Sequence, residues 1–123
     1  MAFEINGSSP PDDAEPGGYT YRYILPPPTG LDGTGNAVGA VGTPEVELSY
    51  QSLSAAGWAY FVNITGGSPS VDLSSLEAWN PYASSGAGAW ETYTTAVMHR
   101  PTYERTGWGG YEGVRIRFTG LEA

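Results

Sequence analysis

A period of two narrows the possible folds more than any other feature of this chain. From Val114 to Leu121 the order Val-Arg-Ile-Arg-Phe-Thr sends Val114, Ile116 and Phe118 to one side and Arg115, Arg117 and Thr119 to the other. An extended strand with one buried face separates residues in this way; a helix would spread them around its circumference. Glu45 to Gln51 repeats the pattern, with Val46, Leu48 and Tyr50 inward and Glu45, Glu47 and Ser49 outward. Tyr19, Tyr21, Tyr23 and Leu25 share one side of a third run, which Pro26-Pro27-Pro28 ends by removing ladder donors. One buried and one wet face is the mark of antiparallel sheet.

Two further runs are read as single strands. Ser70 to Trp79 has Val71 and Leu73 toward the core and is stopped by Asn80-Pro81. Trp90 to His99 places Trp90, Thr92, Thr94, Ala96 and Met98 on one face, with β-branched and aromatic residues throughout. Between Glu45–Gln51 and Ser70–Trp79 the period changes. Leu53, Ala56, Gly57, Tyr60, Phe61 and Ile64 line one face of a helix, with Ser52 or Ser54 as N-cap and Gly66-Gly67 as the stop. A strand over Trp58 to Ile64 competes, but the helical template matches a longer window. Ser84 to Gly88 is read as a flexible turn and Thr106 to Gly110 as another. The expected fold is mainly β: an antiparallel sandwich or barrel with one short flanking helix.

Length and composition fit that picture. A chain of 123 residues holds one domain. Seven of the ten prolines and eight of the eighteen glycines fall in two stretches, 7–18 and 26–44, which have little apolar bulk and are read as long arms that order against a partner. With no cysteine, neither disulfides nor zinc-thiolate sites nor a thiol nucleophile is available. Met1 to Asn6 has neither the basic nor the apolar region of a secretory leader, so the Asn63-Ile64-Thr65 glycosylation pattern is read as chance.

Thirteen acids stand against five arginines and no lysine, for a net charge of -8. Such a surface repels phosphate, so sequence-specific nucleic-acid binding is not expected. No membrane partner is expected either, since no apolar run approaches the roughly 20 residues that span a bilayer. The charge is uneven: residues 91–123 hold four of the five arginines and only four of the acids. That asymmetry can orient one copy against another.

Catalytic constellations are sparse. His99 is the one histidine, so a metal site or a Ser-His-Asp set would need distant carboxylates, and a structural role is the plainer reading. Asp32-Gly-Thr-Gly-Asn36 has the flavour of a calcium loop but lacks its glycine and its closing glutamate, and is read as a turn. Gly33 to Gly39 misses the dinucleotide spacing. Glu91, Glu104 and Glu112 could supply a glycosidase pair, as could the acids of any acidic domain. No cofactor and no enzymatic activity are expected. Trp58, Trp79, Trp90 and Trp108 could form a sugar-stacking platform, but most read as core, and Trp108 between Gly107 and Gly109 fits a protein interface equally well.

The opening Phe3-Glu4-Ile5-Asn6-Gly7, the strand-helix-strand centre from Glu45 to Trp79 and the closing Val114-Arg-Ile-Arg-Phe-Thr-Gly-Leu121 together resemble the small structural proteins of tailed-bacteriophage tails and baseplates. The resemblance implies a non-enzymatic virion subunit, assembled in the host cytoplasm with copies of itself and other virion proteins into a ring or tube through arm and strand-edge contacts. Candidate contact residues are Arg100, Tyr103, Arg105, Trp108, Arg115 and Arg117, with the two arms. A capsid decoration protein and a carbohydrate-binding module are the alternatives.

Overall fold

The computed structural model describes residues 3–10, 19–26, 30–38, 42–107 and 109–122. The chain runs β1 (Glu4–Ile5), β2 (Tyr19–Ile24), β3 (Gly30–Leu31), β4 (Ala37–Val38), β5 (Glu45–Ser54), α1 (Ala55–Thr65), β6 (Ser70–Leu73) and β7 (Leu76–Asn80). A 3-10 turn at Ser84–Gly86 leads to β8 (Ala89–Tyr93), β9 (Thr95–His99), β10 (Arg105–Gly107) and β11 (Gly110–Glu122). Every pairing is antiparallel. A large sheet has the order β2-β5-β11-β9-β6, with β10 also on β11; a small sheet has the order β1-β7-β8. Neither sheet closes, so the fold is mainly β and sandwich-like, with one helix.

The alternation in the sequence decides which side of the large sheet is dry. Val46, Leu48, Tyr50, Val114, Ile116 and Phe118 are all at most 1% exposed. They face a second layer made by the small sheet and α1, which supply Ile5, Leu76, Ala78, Tyr93 and Phe61 to the same core. Phe3 packs edge-on against Phe118 at 5.5 Å, and Tyr50 lies 5.8 Å from Phe61.

The helix begins at Ser54, whose hydroxyl accepts from the Gly57 amide at 3.0 Å. It stops at Gly66, left-handed at φ 60, whose N–H donates to the Val62 carbonyl. Leu53, expected on the helix, is instead the buried end of β5. The competing strand over Trp58 to Ile64 does not form.

Two expected strands are each broken into two. The run from Ser70 to Trp79 leaves the large sheet after Leu73 and enters the small sheet at Leu76. Asn6 is the reason: its Oδ1 accepts from the Ser74 amide at 2.7 Å, while its own amide donates to the Ser75 carbonyl at 2.9 Å. The run from Trp90 to His99 makes the reverse crossing at Thr94, whose amide donates to the Glu122 carbonyl at 2.9 Å. The face flips there, so the buried residues are Tyr93, Ala96 and Met98, and the five-residue face expected from Trp90 to Met98 is not continuous.

The arms are in part bound to the body. At 7–10, Ser8 exchanges hydrogen bonds with Ile5, the Tyr60 hydroxyl donates to the Ser8 carbonyl at 2.9 Å, and Pro10 is buried. Within 26–44, β3 and β4 form a hairpin around Asp32, whose Oδ1 accepts from the Thr34 amide and hydroxyl and the Asn36 amide. Those bonds hold the Asp32 carboxyl below its ordinary range, the Thr34 hydroxyl contributing most. This is the turn read from the sequence. Residues 11–18, 27–29 and 39–41 of the two arms lie outside the described residues.

Candidate assembly interface

All five arginines sit on the strands of the large sheet or the connections between them, and all five are exposed. The cause is local: with Tyr21, Tyr23, Val114, Ile116 and Phe118 turned to the core side, period two sends Arg22, Arg115 and Arg117 to the opposite face. Strand pairing then makes rows of them. Arg22 stands opposite Glu47, which stands opposite Arg117; Thr20 stands opposite Ser49, which stands opposite Arg115. Arg100, just beyond β9, joins Arg115 and Arg117 around a shallow depression of about 270 Å³ that is also lined by Glu47, His99 and Thr102.

The cations differ in how they are engaged. Arg117 forks onto Glu45, Nη2 to Oε1 at 2.8 Å and Nε to Oε2 at 3.3 Å, and that carboxylate keeps its guanidinium firmly charged. Arg105 pairs with Glu112 at 2.9 Å, both well exposed. Among the described residues, Arg22, Arg100 and Arg115 have no ion pair. Exposed pairs such as these two contribute at most about 1 kcal/mol, so the face is held as it is by sheet geometry more than by its salt bridges. On the other side of β11, Glu104 follows Thr102, the partner of Arg115, and Asp72 lies on β6, two strands away.

Of the six contact residues expected from sequence, Arg100, Arg115 and Arg117 come together in this depression. Arg105 lies on β10, opposite Glu112 of β11 and beside a second depression lined by Gln51, Ser52, Glu104 and Glu112. Tyr103 is half exposed and meets Trp58 and Tyr111 edge-on at 5.3 and 5.4 Å, so it braces the start of α1. Trp108 lies outside the described residues. Sequence reasoning missed Arg22, Glu45 and Glu47 as members of the face. Their outward parity was legible, but the order β2-β5-β11 that sets them beside Arg117 was not. His99 is engaged too, its Nε2 2.9 Å from the Thr119 hydroxyl.

At another place the two layers are joined by a polar chain. Tyr93 donates to Glu91 Oε1 at 2.9 Å, because a carboxylate can only accept; Tyr23, 3.0 Å from the Tyr93 oxygen, therefore donates to it. Asn80 also donates to Glu91 Oε1, at 2.6 Å, and the Tyr21 hydroxyl donates to the Trp79 carbonyl at 2.6 Å. Burial, and then the bonds to Tyr23 and Glu91, hold the Tyr93 hydroxyl above its ordinary 10.0. A raised folded-state value means that stability is complete below about pH 10 and is lost as the pH climbs above it, where the unfolded chain ionises first. Tyr93→Phe is expected to lower stability at neutral pH by about 1–2 kcal/mol. Above pH 10 its melting temperature should fall less steeply than that of the wild type; parallel slopes would show that Tyr93 does not titrate this way.

The other chemistry raised by the sequence finds little support. Glu91 belongs to this chain of tyrosines, whereas Glu104 and Glu112 lie near Ser52, so the three carboxylates share no cleft. Trp58 and Tyr111 stack on each other at 4.4 Å, and Trp79 and Trp90 meet at 72°, so neither pair offers the coplanar row a sugar platform needs.

No protein-family model matches the chain, and neither the curated proteins nor the solved structures compared with it give a match.

Proposed function

We propose that this chain is a non-enzymatic structural subunit of a tailed-bacteriophage tail or baseplate, forming a ring or tube with copies of itself and other virion proteins. The observation that carries the reading is the segregation of every arginine of a chain with net charge -8 onto one sheet, with Arg22, Arg100 and Arg115 lacking an ion pair among the described residues. A face that gathers the arginines of an otherwise acidic chain, interleaved with Glu45 and Glu47, gives copies a charge pattern by which to orient against one another, and a head-to-tail contact repeats into rings or filaments. The resemblance supports the same reading: its opening segment is β1 of the small sheet, and its closing segment is β11, the central strand of the large one.

The outermost strands add contacts of a second kind. β2 and β6 border the large sheet and β8 one side of the small one, and each offers one unpaired row of backbone groups within the described sheets, whereas on β1 Ile5 is already bonded to Ser8. A capsid decoration protein would use the same surfaces, and particle symmetry separates the two. Negative-stain images of the concentrated chain are expected to show rings or tubes of uniform diameter, with sixfold or threefold symmetry for a tail layer. Featureless fields at every concentration would overturn the reading.

A further inference from the structure

We infer that the occupant of the face bearing Arg22, Arg100 and Arg115 is a second copy of this chain, docked through the outer face of its small sheet at Glu4 and Glu77. The inference rests on the self-assembly reading above and names the two surfaces that meet. Glu4 and Glu77 stand directly opposite each other in the β1–β7 ladder. Ile5, Leu76 and Ala78 are turned inward, so the two carboxylates share the opposite face, away from the large sheet. Like charges in this position disfavour the pairing of their strands. Glu77 Oε1 is enclosed and has no hydrogen-bond partner, and among the described residues no cation pairs with either side chain. The fold thus carries an uncompensated carboxylate pair on one broad face and guanidinium groups without ion partners on the other.

The two layers of the sandwich put these faces on opposite sides of the molecule. A contact between unlike faces is heterologous: each copy uses its Arg100–Arg115 face on one neighbour and its Glu4–Glu77 face on the next, and the series closes or continues according to the rotation per step. Association desolvates the guanidinium groups against carboxylates that the isolated chain leaves unpaired, which is the arrangement in which interfacial charge complementarity favours binding. Arg117 remains on Glu45 and is not needed for the contact.

Two charge-altered variants test this. Arg100→Glu with Arg115→Glu makes the large-sheet face acidic, and Glu4→Arg with Glu77→Gln makes the small-sheet face basic while keeping the shape of the half-buried Glu77 side chain. Circular dichroism and thermal melting confirm that each is folded; if the second variant is not, Glu4→Arg alone takes its place. Each variant alone is expected to associate at least about tenfold more weakly than the wild type in sedimentation, and their equimolar mixture to recover association, since every contact is then between unlike charges. If the wild type associates and the arginine variant does so equally, the docking faces are wrong while the assembly reading stands. If both variants dissociate and the mixture does not recover, the two faces are not each other's partners. A wild type that never associates overturns both.

Discussion

Replacing Phe118 by alanine is expected to lower the unfolding free energy by about 3–5 kcal/mol, a large share of the roughly 5–15 kcal/mol available to a domain of this kind. Phe118 is fully buried, pairs with Val46 on one side and Met98 on the other, and meets Phe3 of the second layer edge-on. It is therefore the side chain through which the middle of the large sheet grips the segment leading into β1. The residues around it belong to three strands and the N-terminal segment, which cannot all collapse into the space left behind, so a cavity term adds to the lost transfer free energy. Denaturant unfolding reads the effect as a lower midpoint at unchanged slope. Since Phe118 points away from the arginine face, any folded fraction of the variant should keep the wild-type capacity to associate. A loss below about 1 kcal/mol would contradict the packing described for this strand.

Gly88→Ala is expected to cost about 2–4 kcal/mol, from two sources that can be separated. Gly88 has φ 82, where a Cβ is strained against its own backbone. Its added Cβ would also overlap the Trp79 indole, coming within 2.8 Å of Cε2. Trp79 stands opposite Trp90 in the β7–β8 ladder and meets it edge-on at 5.5 Å, so displacing one ring disturbs the pair. Gly86 supplies the control: φ is 96, yet nothing lies within 4 Å of an added Cβ. Gly86→Ala should show the backbone cost alone, and the difference in melting temperature between the two variants reports the Trp79 contact. Equal losses would mean that the indole moves aside freely.

The sequence carried the faces of strands well and their partners poorly. Parity in Glu45–Gln51 and Tyr111–Leu121 located the core because one face of each strand is dry, and that requirement is local to the strand. The helix was legible because Ser54 and Gly66 mark its ends chemically. The breaks at Ser74-Ser75 and Thr94 were not, since neither site carries glycine or proline. Each break is made by a distant partner, Asn6 in one case and Glu122 in the other, which captures backbone groups that would otherwise continue the ladder. The hairpin inside the 26–44 arm was half legible: Asp32 announced the turn, but two-residue strands have too little pattern to announce themselves.

The candidate interface follows the same division. Outward parity singled out Arg115 and Arg117, and proximity in sequence suggested Arg100. The rows that bring Arg22, Glu45 and Glu47 beside them come from strand order, which depends on the whole fold. The Glu4–Glu77 pair is still less visible, because β1 and β7 are separated by the entire large-sheet meander of β2 and β5 and by the helix.

The most direct test of the central claim, that this chain assembles with itself, is its light-scattering mass across concentrations from about 10 μM to about 1 mM, a range that spans weak to moderate contacts. Mass is expected to grow with concentration in multiples of 13.0 kDa toward a closed ring or an extending tube. A single species of 13.0 kDa over the whole range would contradict it.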